Sequence, residues 1–534
     1  MHIFGQGVSF TTALFLLLAL GLALGFEFVN GFHDTANAVA TVIYTHSLKP
    51  VYAVIWSGLW NLLGVLTSSG LVAFSVVSLL PVELVLNVGS GAGFAMVFSL
   101  LISAIIWNLG TWYLGLPASS SHTLIGSIMG VGLANSLLSG HVFGEGVNWA
   151  KAQEVFGSLL LSPVMGFVGA GLLLLLLKLL VRKPALYKPP EGNQPPPWWI
   201  RGLLMLTCTG VSFFHGSNDG QKGIGLIVLI LVGILPGGFA LNPAAGPADI
   251  QNIVQHARQV EPMLLKQAPV LITSQDATDE LSAYLKTKGV ATVQTFKAFA
   301  GRNREVAIEL EGRSSFDDLM VDQRKGFRSD IYLLSESIGK LLKQHKISDP
   351  AEANALRVYQ GTLQKQTKYI PVWVKFAVAI ALGLGTMIGW KRIVITVGEK
   401  IGKEDLTYAQ GASAEIIAMA TIGLADKYGL PVSTTHVLSS GIAGTVAANR
   451  SGLQMETLRN ILLAWVLTLP VCVFLGAGIF AAFLFITLHL FGVRRSWRTK
   501  KGCPAGLGVS LRNIRVDTNG CSVKNISWRK CCVS

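Results

Sequence analysis

The sequence predicts an all-α polytopic membrane protein assembled from two related halves. Three observations carry that prediction. Apolar residues make up 51% of the 534-residue chain and charged ones only 13%, against about 25% charged in soluble domains. Segments 8–30, 51–80, 93–113, 156–181, 202–214, 224–236, 371–390 and 459–492 are apolar, several of them for the roughly 20 residues that cross a bilayer. Two polar motifs each occur twice, in the same order, inside apolar sequence. One pair is Gly31-Phe32-His33-Asp34-Thr35-Ala36-Asn37-Ala38 and Gly216-Ser217-Asn218-Asp219-Gly220-Gln221-Lys222-Gly223. The other is Gly115-Leu116-Pro117-Ala118-Ser119-Ser120-Ser121-His122-Thr123-Leu124 and Gly429-Leu430-Pro431-Val432-Ser433-Thr434-Thr435-His436-Val437-Leu438. Carboxylates, amides and hydroxyls are costly in lipid, and two copies in the same order point to two halves meeting at one polar site. About ten transmembrane helices are expected, with broken or re-entrant segments at that site.

The elements follow in order. Residues 1–181 form the N-terminal membrane repeat. It starts without a basic n-region, so 8–30 reads as a retained span rather than a signal peptide. Small-residue runs such as Gly166-Phe167-Val168-Gly169-Ala170-Gly171 suit close helix packing. Residues 182–201, with Lys183, Lys188 and Pro195-Pro196-Pro197, read as a basic, proline-rich cytoplasmic linker. Residues 202–244 open the C-terminal repeat and 370–493 complete it. Between them, 245–369 has mixed charge, and Ile331, Leu334, Ile338, Leu341 and Leu342 follow the 3.6 period, predicting a small soluble helical insertion. The basic linker and the 391–403 loop should face the cytoplasm, which puts residue 1 and the insertion outside and orients the halves oppositely. The same count places the C-terminus outside, against the charges of Arg494, Arg495, Arg498, Lys500 and Lys501 in the basic tail 494–534. Two short passes within 459–492 would relieve that conflict. The net charge of +14 reads as loop charge of this kind and not as nucleic-acid binding. Cys208 and Cys472 read as inert packing residues, and the tail's Cys503, Cys521, Cys531 and Cys532 match no zinc spacing.

The motifs carry the chemistry. Asp34 and Asn37 share a helix face, and the glycines at Gly31 and around Asn218–Asp219 allow a helix break that frees backbone groups. An Asp, an Asn oxygen and free carbonyls suit a small cation or a proton, whereas an Asp alone can simply cap a helix. In the second pair, a proline followed by three hydroxyl residues predicts a helix N-terminus, with free N–H groups and a positive dipole end that attract phosphate-like anions. His33, His122 and His436 can titrate near neutrality or act as neutral donors locking the loops. Lys222 can pair with Asp219, contact the anion directly, or snorkel. Glu27, Asn61, Asn108 and Glu415 are further intramembrane polar groups, and Glu27, one turn before Gly31, is a candidate proton carrier.

On these residues the chain resembles the PiT family of inorganic phosphate transporters, most of all its bacterial low-affinity permeases. The resemblance runs through roughly 1–240 and 370–490. The family's Gly-x-Asn-Asp signature is kept as Gly216-Ser217-Asn218-Asp219, whereas the first copy has His33 where Asn would stand, which fits the proton-coupled branch. The resemblance implies an inverted-repeat secondary transporter, often dimeric, in the bacterial inner membrane and without enzymatic activity. It implies that Asp34, Asn37, Asn218 and Asp219 handle the coupling ion. It also implies that Ser119, Ser120, Ser121, Thr123, Ser433, Thr434 and Thr435 cradle phosphate, with Lys222 a further candidate. The co-transported ion is expected to be a proton, with sodium the alternative, and the cargo phosphate or its neutral complex with Mg2+ or another divalent metal. No dedicated metal site or cofactor is expected. A sulfate carrier and a phosphate-sensing receptor are the other readings. A phosphatase is disfavoured, because adjacent Ser and His on a helix point to different faces.

Overall fold

The computed structural model describes residues 2–490 apart from 4–5, 81–89, 139–143, 145–146, 191, 193, 268–269, 273, 287–289, 346 and 348, and the side chains of 2, 3, 6, 34–37, 150, 274, 286, 321–322 and 487–490 are also outside the description. The tail 494–534, with its four cysteines and basic residues, falls outside it. Apart from a two-residue strand pair at His2–Ile3 and Gln6–Gly7, the regular elements described are helical.

The first half holds α1 (Phe10–Tyr44), α2 (Pro50–Thr67), α3 (Leu71–Val77), α4 (Gly91–Tyr113), α5 (Ser120–Leu138) and α6 (Trp149–Leu180). The second opens with α7 (Trp198–Ile234) and the short α8 (Pro236–Phe239). The insertion contains α9 (Pro247–Gln267), α10 (Ser274–Lys286), α11 (Val293–Leu310), α12 (Val321–Lys343) and α13 (Pro350–Thr367). The bundle resumes with α14 (Val372–Ile388), α15 (Lys391–Glu399), α16 (Tyr408–Lys427), α17 (Thr434–Asn449) and α18 (Met455–Leu490). The apolar stretch 51–80 is divided at Gly70, whose φ is +86°, and 202–236 is one helix rather than two. Residues 455–490 likewise form a single helix, not two short passes.

Among the described residues five helices, α1, α2, α4, α6 and α18, are long and apolar enough to cross a membrane, or six if the pair α13 and α14, bent by 71°, counts as one span. That is fewer than the ten expected, and the other helices of the bundle are shorter or more polar. Helix α7 carries Arg201, Asp219 and Lys222, α14 has only 17 residues, and α5, α16 and α17 carry many small and hydroxyl residues.

Helices exchange partners between the halves. α5 packs on α18 and α17 on α6, while α1 packs on α14 and α7 on α2. Apolar association between helices is weak in lipid, so these contacts rest on close approach. At the α6–α17 crossing a Cβ on Gly166 would run into Val437 O and Ser440 Oγ. One apolar cluster gathers Leu16, Phe98, Phe480 and Phe483 with Phe239, Ile370 and the insertion's Tyr332. The insertion therefore sits at the end of the bundle where α1 begins and α18 ends. Arg201 at the start of α7 and the 391–403 segment lie at the other end, where Arg201 Nε donates to Ser47 O at 2.8 Å and Tyr44 to Glu399 at 2.7 Å. The insertion has its own core, built on Ile253, Phe299, Ile331, Leu334, Ile338 and Tyr359.

Candidate functional site

Each hydroxyl motif is a hairpin with the same construction. Helix α4 stops at Gly115, whose φ of +68° is strained for any side chain. The amides of Leu116 and Gly115 reach back to Thr111 O and Trp112 O, both at 2.9 Å, the paired bonds of a Schellman stop. Pro117 then blocks continuation, and Ser119 restarts the chain as α5, its Oγ accepting from the His122 amide at 3.2 Å. The second copy repeats every step. Gly429 has φ +65°, Leu430 N bonds Ala425 O at 2.9 Å and Gly429 N bonds Asp426 O at 3.0 Å, and Ser433 Oγ accepts from His436 N at 3.1 Å.

The two restart points meet. The rings of His122 and His436 lie 4.7 Å apart. His436 stacks at 4.0 Å on Trp465, whose indole donates to Pro117 O at 2.8 Å. Ser121 donates across to Val432 O at 2.7 Å, and Asn218 Nδ2 donates to Leu430 O at 3.1 Å. Ser119, Ser120, Ser121, Thr123, Ser433, Thr434 and Thr435 are all buried. Thr123 is turned to its own helix, donating to Ser119 O at 2.9 Å. Four buried polar atoms beside the hairpins, Asn218 Oδ1, Asp219 Oδ1, His122 Nδ1 and Thr434 Oγ1, have no hydrogen-bond partner among the described residues. Buried polar atoms are rarely left unpaired. At the meeting of two helix N-termini, His122 Nδ1 and Thr434 Oγ1 can donate to an anion, while Asn218 Oδ1 and Asp219 Oδ1 are acceptors suited to a cation or a proton.

The Asp motifs differ from the expected geometry: α1 and α7 run unbroken through both. Their glycines serve close packing instead of a break, since a Cβ on Gly31 would strike Leu382 O and one on Gly216 would strike Asn61 O. The breaks in the helical course lie instead at the two hydroxyl hairpins. Asp34 and Asn37 lie on α1 with their side chains outside the description. Asp219 is buried, with Lys222 Nζ at 2.7 Å and His215 Nε2 at 3.6 Å from its Oδ2, and Ser120 donates to the same oxygen at 3.5 Å. Lys222 is fully buried and stands on the Asp219 carboxylate. Glu27 is also fully buried, accepts from Asn30 Nδ2 at 3.2 Å, and backs onto Gly223. His33 Nε2 donates to Asn108 O at 2.6 Å, so this histidine locks α1 to α4.

Three residues that sequence reasoning passed over join the site. Asp426, at the end of α16, accepts from Ser217 and from Gln221 Nε2, both at 2.7 Å. The other end of the Gln221 amide accepts the Val72 amide at 2.9 Å, capping α3. His215 Nδ1 donates to Asn61 Oδ1 at 2.5 Å. An acid three residues before the motif glycine Gly429, in an apolar helix, was the available signal for Asp426. Farther along, Glu415 ties α1 to α7 by accepting from both Thr41 and Thr207.

The sequence profile described as the phosphate transporter family matches residues 30–476. The chain is 44% identical over 495 residues to the low-affinity inorganic phosphate transporter PitA of Escherichia coli (strain K12), covering 90% of this chain and 98% of that one. It is 43% identical over 496 residues to PitB of the same strain, covering 89% and 97%. A probable low-affinity inorganic phosphate transporter of Bacillus subtilis (strain 168) is 28% identical over 462 residues, covering 86% and 95%. A solved structure described as the sodium-dependent phosphate transporter overlays with a TM-score of 0.48 at 19% identity, covering 88% of this chain and 99% of that one. The relatives are named as transporters and not as enzymes. Matched over most of its length and closely related to these permeases, the chain belongs to the phosphate transporter family.

Proposed function

We propose that the protein carries inorganic phosphate across a bacterial inner membrane together with protons, by alternating access between two oppositely oriented halves. The observation that carries this reading is the meeting of two identically built helix N-termini at His122 and His436. The relatives named as inorganic phosphate transporters support the choice of oxyanion. Hydroxyls of Ser120, Thr434 and Thr435, with amides of the first turns of α5 and α17, would hold the phosphate oxygens. The reciprocal packing of α5 on α18 and α17 on α6 supports an inverted repeat, in which rocking one hairpin group against the other opens the cradle to either side.

Charge sets the form of the cargo. Each elementary charge moved across the membrane is worth about 2.3 kcal/mol per 100 mV, so a negative interior opposes entry of the bare dianion twice over. A neutral complex of HPO₄²⁻ with Mg2+ or another divalent metal, moving with one proton, is drawn inward instead. Asp34 and Glu27 are the proton candidates. Glu27 is a buried acid beside an Asp219–Lys222 pair that is already neutral, and a buried acid without a cation of its own is suited to carry a proton.

The test is ³²P-phosphate uptake into liposomes containing the purified protein. Uptake driven by a proton gradient and enhanced by Mg2+ is expected. Uptake driven only by a sodium gradient would overturn the proton assignment, and displacement of phosphate by equimolar sulfate would overturn the substrate assignment.

A further inference from the structure

Lys222 is the least expected group in the bundle interior. An ammonium buried in this way costs several kcal/mol unless it is closely paired, and here the pairing is with Asp219 at 2.7 Å, both side chains 1% exposed. Aligning the two Asp motifs places Asp219 on Asp34 and Lys222 on Asn37. One half therefore has a neutral amide three residues after its aspartate, and the other has a fixed cation. A buried aspartate with hydroxyl and amide oxygens nearby is by its chemistry a hard-oxygen cation site. At Asp219 such oxygens are present: Ser120 Oγ lies 3.5 Å from the carboxylate, and Asn218 Oδ1 next to it has no hydrogen-bond partner among the described residues. What is missing for a mobile ion is an uncompensated negative charge, because the Lys222 ammonium already balances the carboxylate.

We infer that Lys222 is a tethered cation that takes the place of a mobile coupling ion at Asp219 and thereby excludes sodium from the second half of the transporter. The inference rests on the proton-coupled reading above and deepens it. The half with Asp34 and Asn37 is left to handle the coupling ion, and the half with Asp219 is permanently charge-balanced. Lys222 thus determines ion specificity by holding a carboxylate neutral, and the cradle loses one ion per cycle relative to a site with two free aspartates.

The experiment compares wild type, Lys222→Met and Lys222→Arg in liposomes, with ³²P uptake measured under the same proton gradient in sodium chloride and in choline chloride. Thermal stability of the same proteins in detergent is measured in both salts. Wild type and K222R, which keep a tethered cation, are expected to be indifferent to the salt. K222M, with an uncompensated carboxylate, is expected to gain sodium dependence on the order of tenfold in uptake, together with stabilisation by sodium but not by choline. A K222M protein equally active, equally inactive or equally unstable in both salts overturns the inference. Uptake by wild type driven by sodium without a proton gradient is a different outcome: it sinks the proton-coupled reading on which the inference rests.

Discussion

The two hydroxyl hairpins share one backbone construction and differ in the chemistry beside them. Gly115 and Gly429 hold φ values of +68° and +65°, and Ser119 and Ser433 cap their helices through the same amide three residues on. The residues beside these matched turns are not matched. Phe32 lies on Trp112 with ring centroids 5.3 Å apart, and at the corresponding positions of the second half Ser217 donates to Asp426 at 2.7 Å. Asn37 corresponds to Lys222. One corner is aromatic, the other charged. Two hairpins of one construction thus meet beside unequal corners, and on the proposed function they supply two matching anion-binding ends while one corner keeps its charge fixed.

The largest expected effect breaks that comparison at its aspartates. Asp219→Ala strands the Lys222 ammonium in the interior and should cost about 3–5 kcal/mol as well as uptake. Asp34→Asn, three residues from a neutral Asn37, should abolish driven uptake with a much smaller loss of stability. Denaturant unfolding in detergent beside liposome uptake measures both, and equal destabilisation would contradict the division. Next comes the corner. Asp426→Ala takes the acceptor from the Ser217 hydroxyl and from one Gln221 N–H, while Gln221 Nε2 keeps Ser217 O at 2.7 Å, at roughly 1–3 kcal/mol for such buried groups. Phe32→Leu keeps an apolar filler and should lose only about 0.5–1.5 kcal/mol of ring contact. A reversed order would show that the polar corner is not structural.

The turns sharpen the comparison at a smaller scale. Gly115→Ala should cost about 1–2 kcal/mol for its left-handed backbone. Gly429→Ala should cost more, because its Cβ would also press on Leu71 Cβ at 3.0 Å, whereas the nearest atom to a Cβ at Gly115 is 3.5 Å away. The smallest effect lies in the insertion. Burial pushes the Asp330 carboxyl up from 3.8 to about 6, with Arg302 opposing the shift. Its raised pKa stabilises the fold fully below pH 3.8, and that contribution is lost as pH rises through about 6. Asp330→Asn should therefore flatten the pH dependence of melting between those values.

What was legible in the sequence was whatever repeats or follows a local rule. A proline followed by hydroxyl residues is a local helix-start signal, so the N-termini of α5 and α17 were readable from spacing, whereas the glycine stops that make each motif a hairpin were not read. The period of Ile331, Leu334, Ile338 and Leu341 likewise marked α12. The unbroken course of α1 and α7 was not readable, because a glycine that permits a break and one that admits a neighbour's backbone look alike in one chain; only the nearness of Leu382 O to Gly31 and Asn61 O to Gly216 separates them. Asp426 was missed because its partners, Ser217 and Gln221, lie some 200 residues away, and no local pattern joins them. Lys222 was seen, but its choice between anion and carboxylate depended on a distance.

The central claim is that both hairpins contribute to one phosphate site. The most direct measurement is equilibrium binding of ³²P-phosphate to purified wild type, Ser120→Ala and Thr434→Val in detergent, one variant per hairpin. The account requires both to weaken binding, by about tenfold or more for a lost hydrogen bond to a charged ligand, with the double variant weaker still. Normal binding by both single variants, or a loss confined to one hairpin, would contradict it.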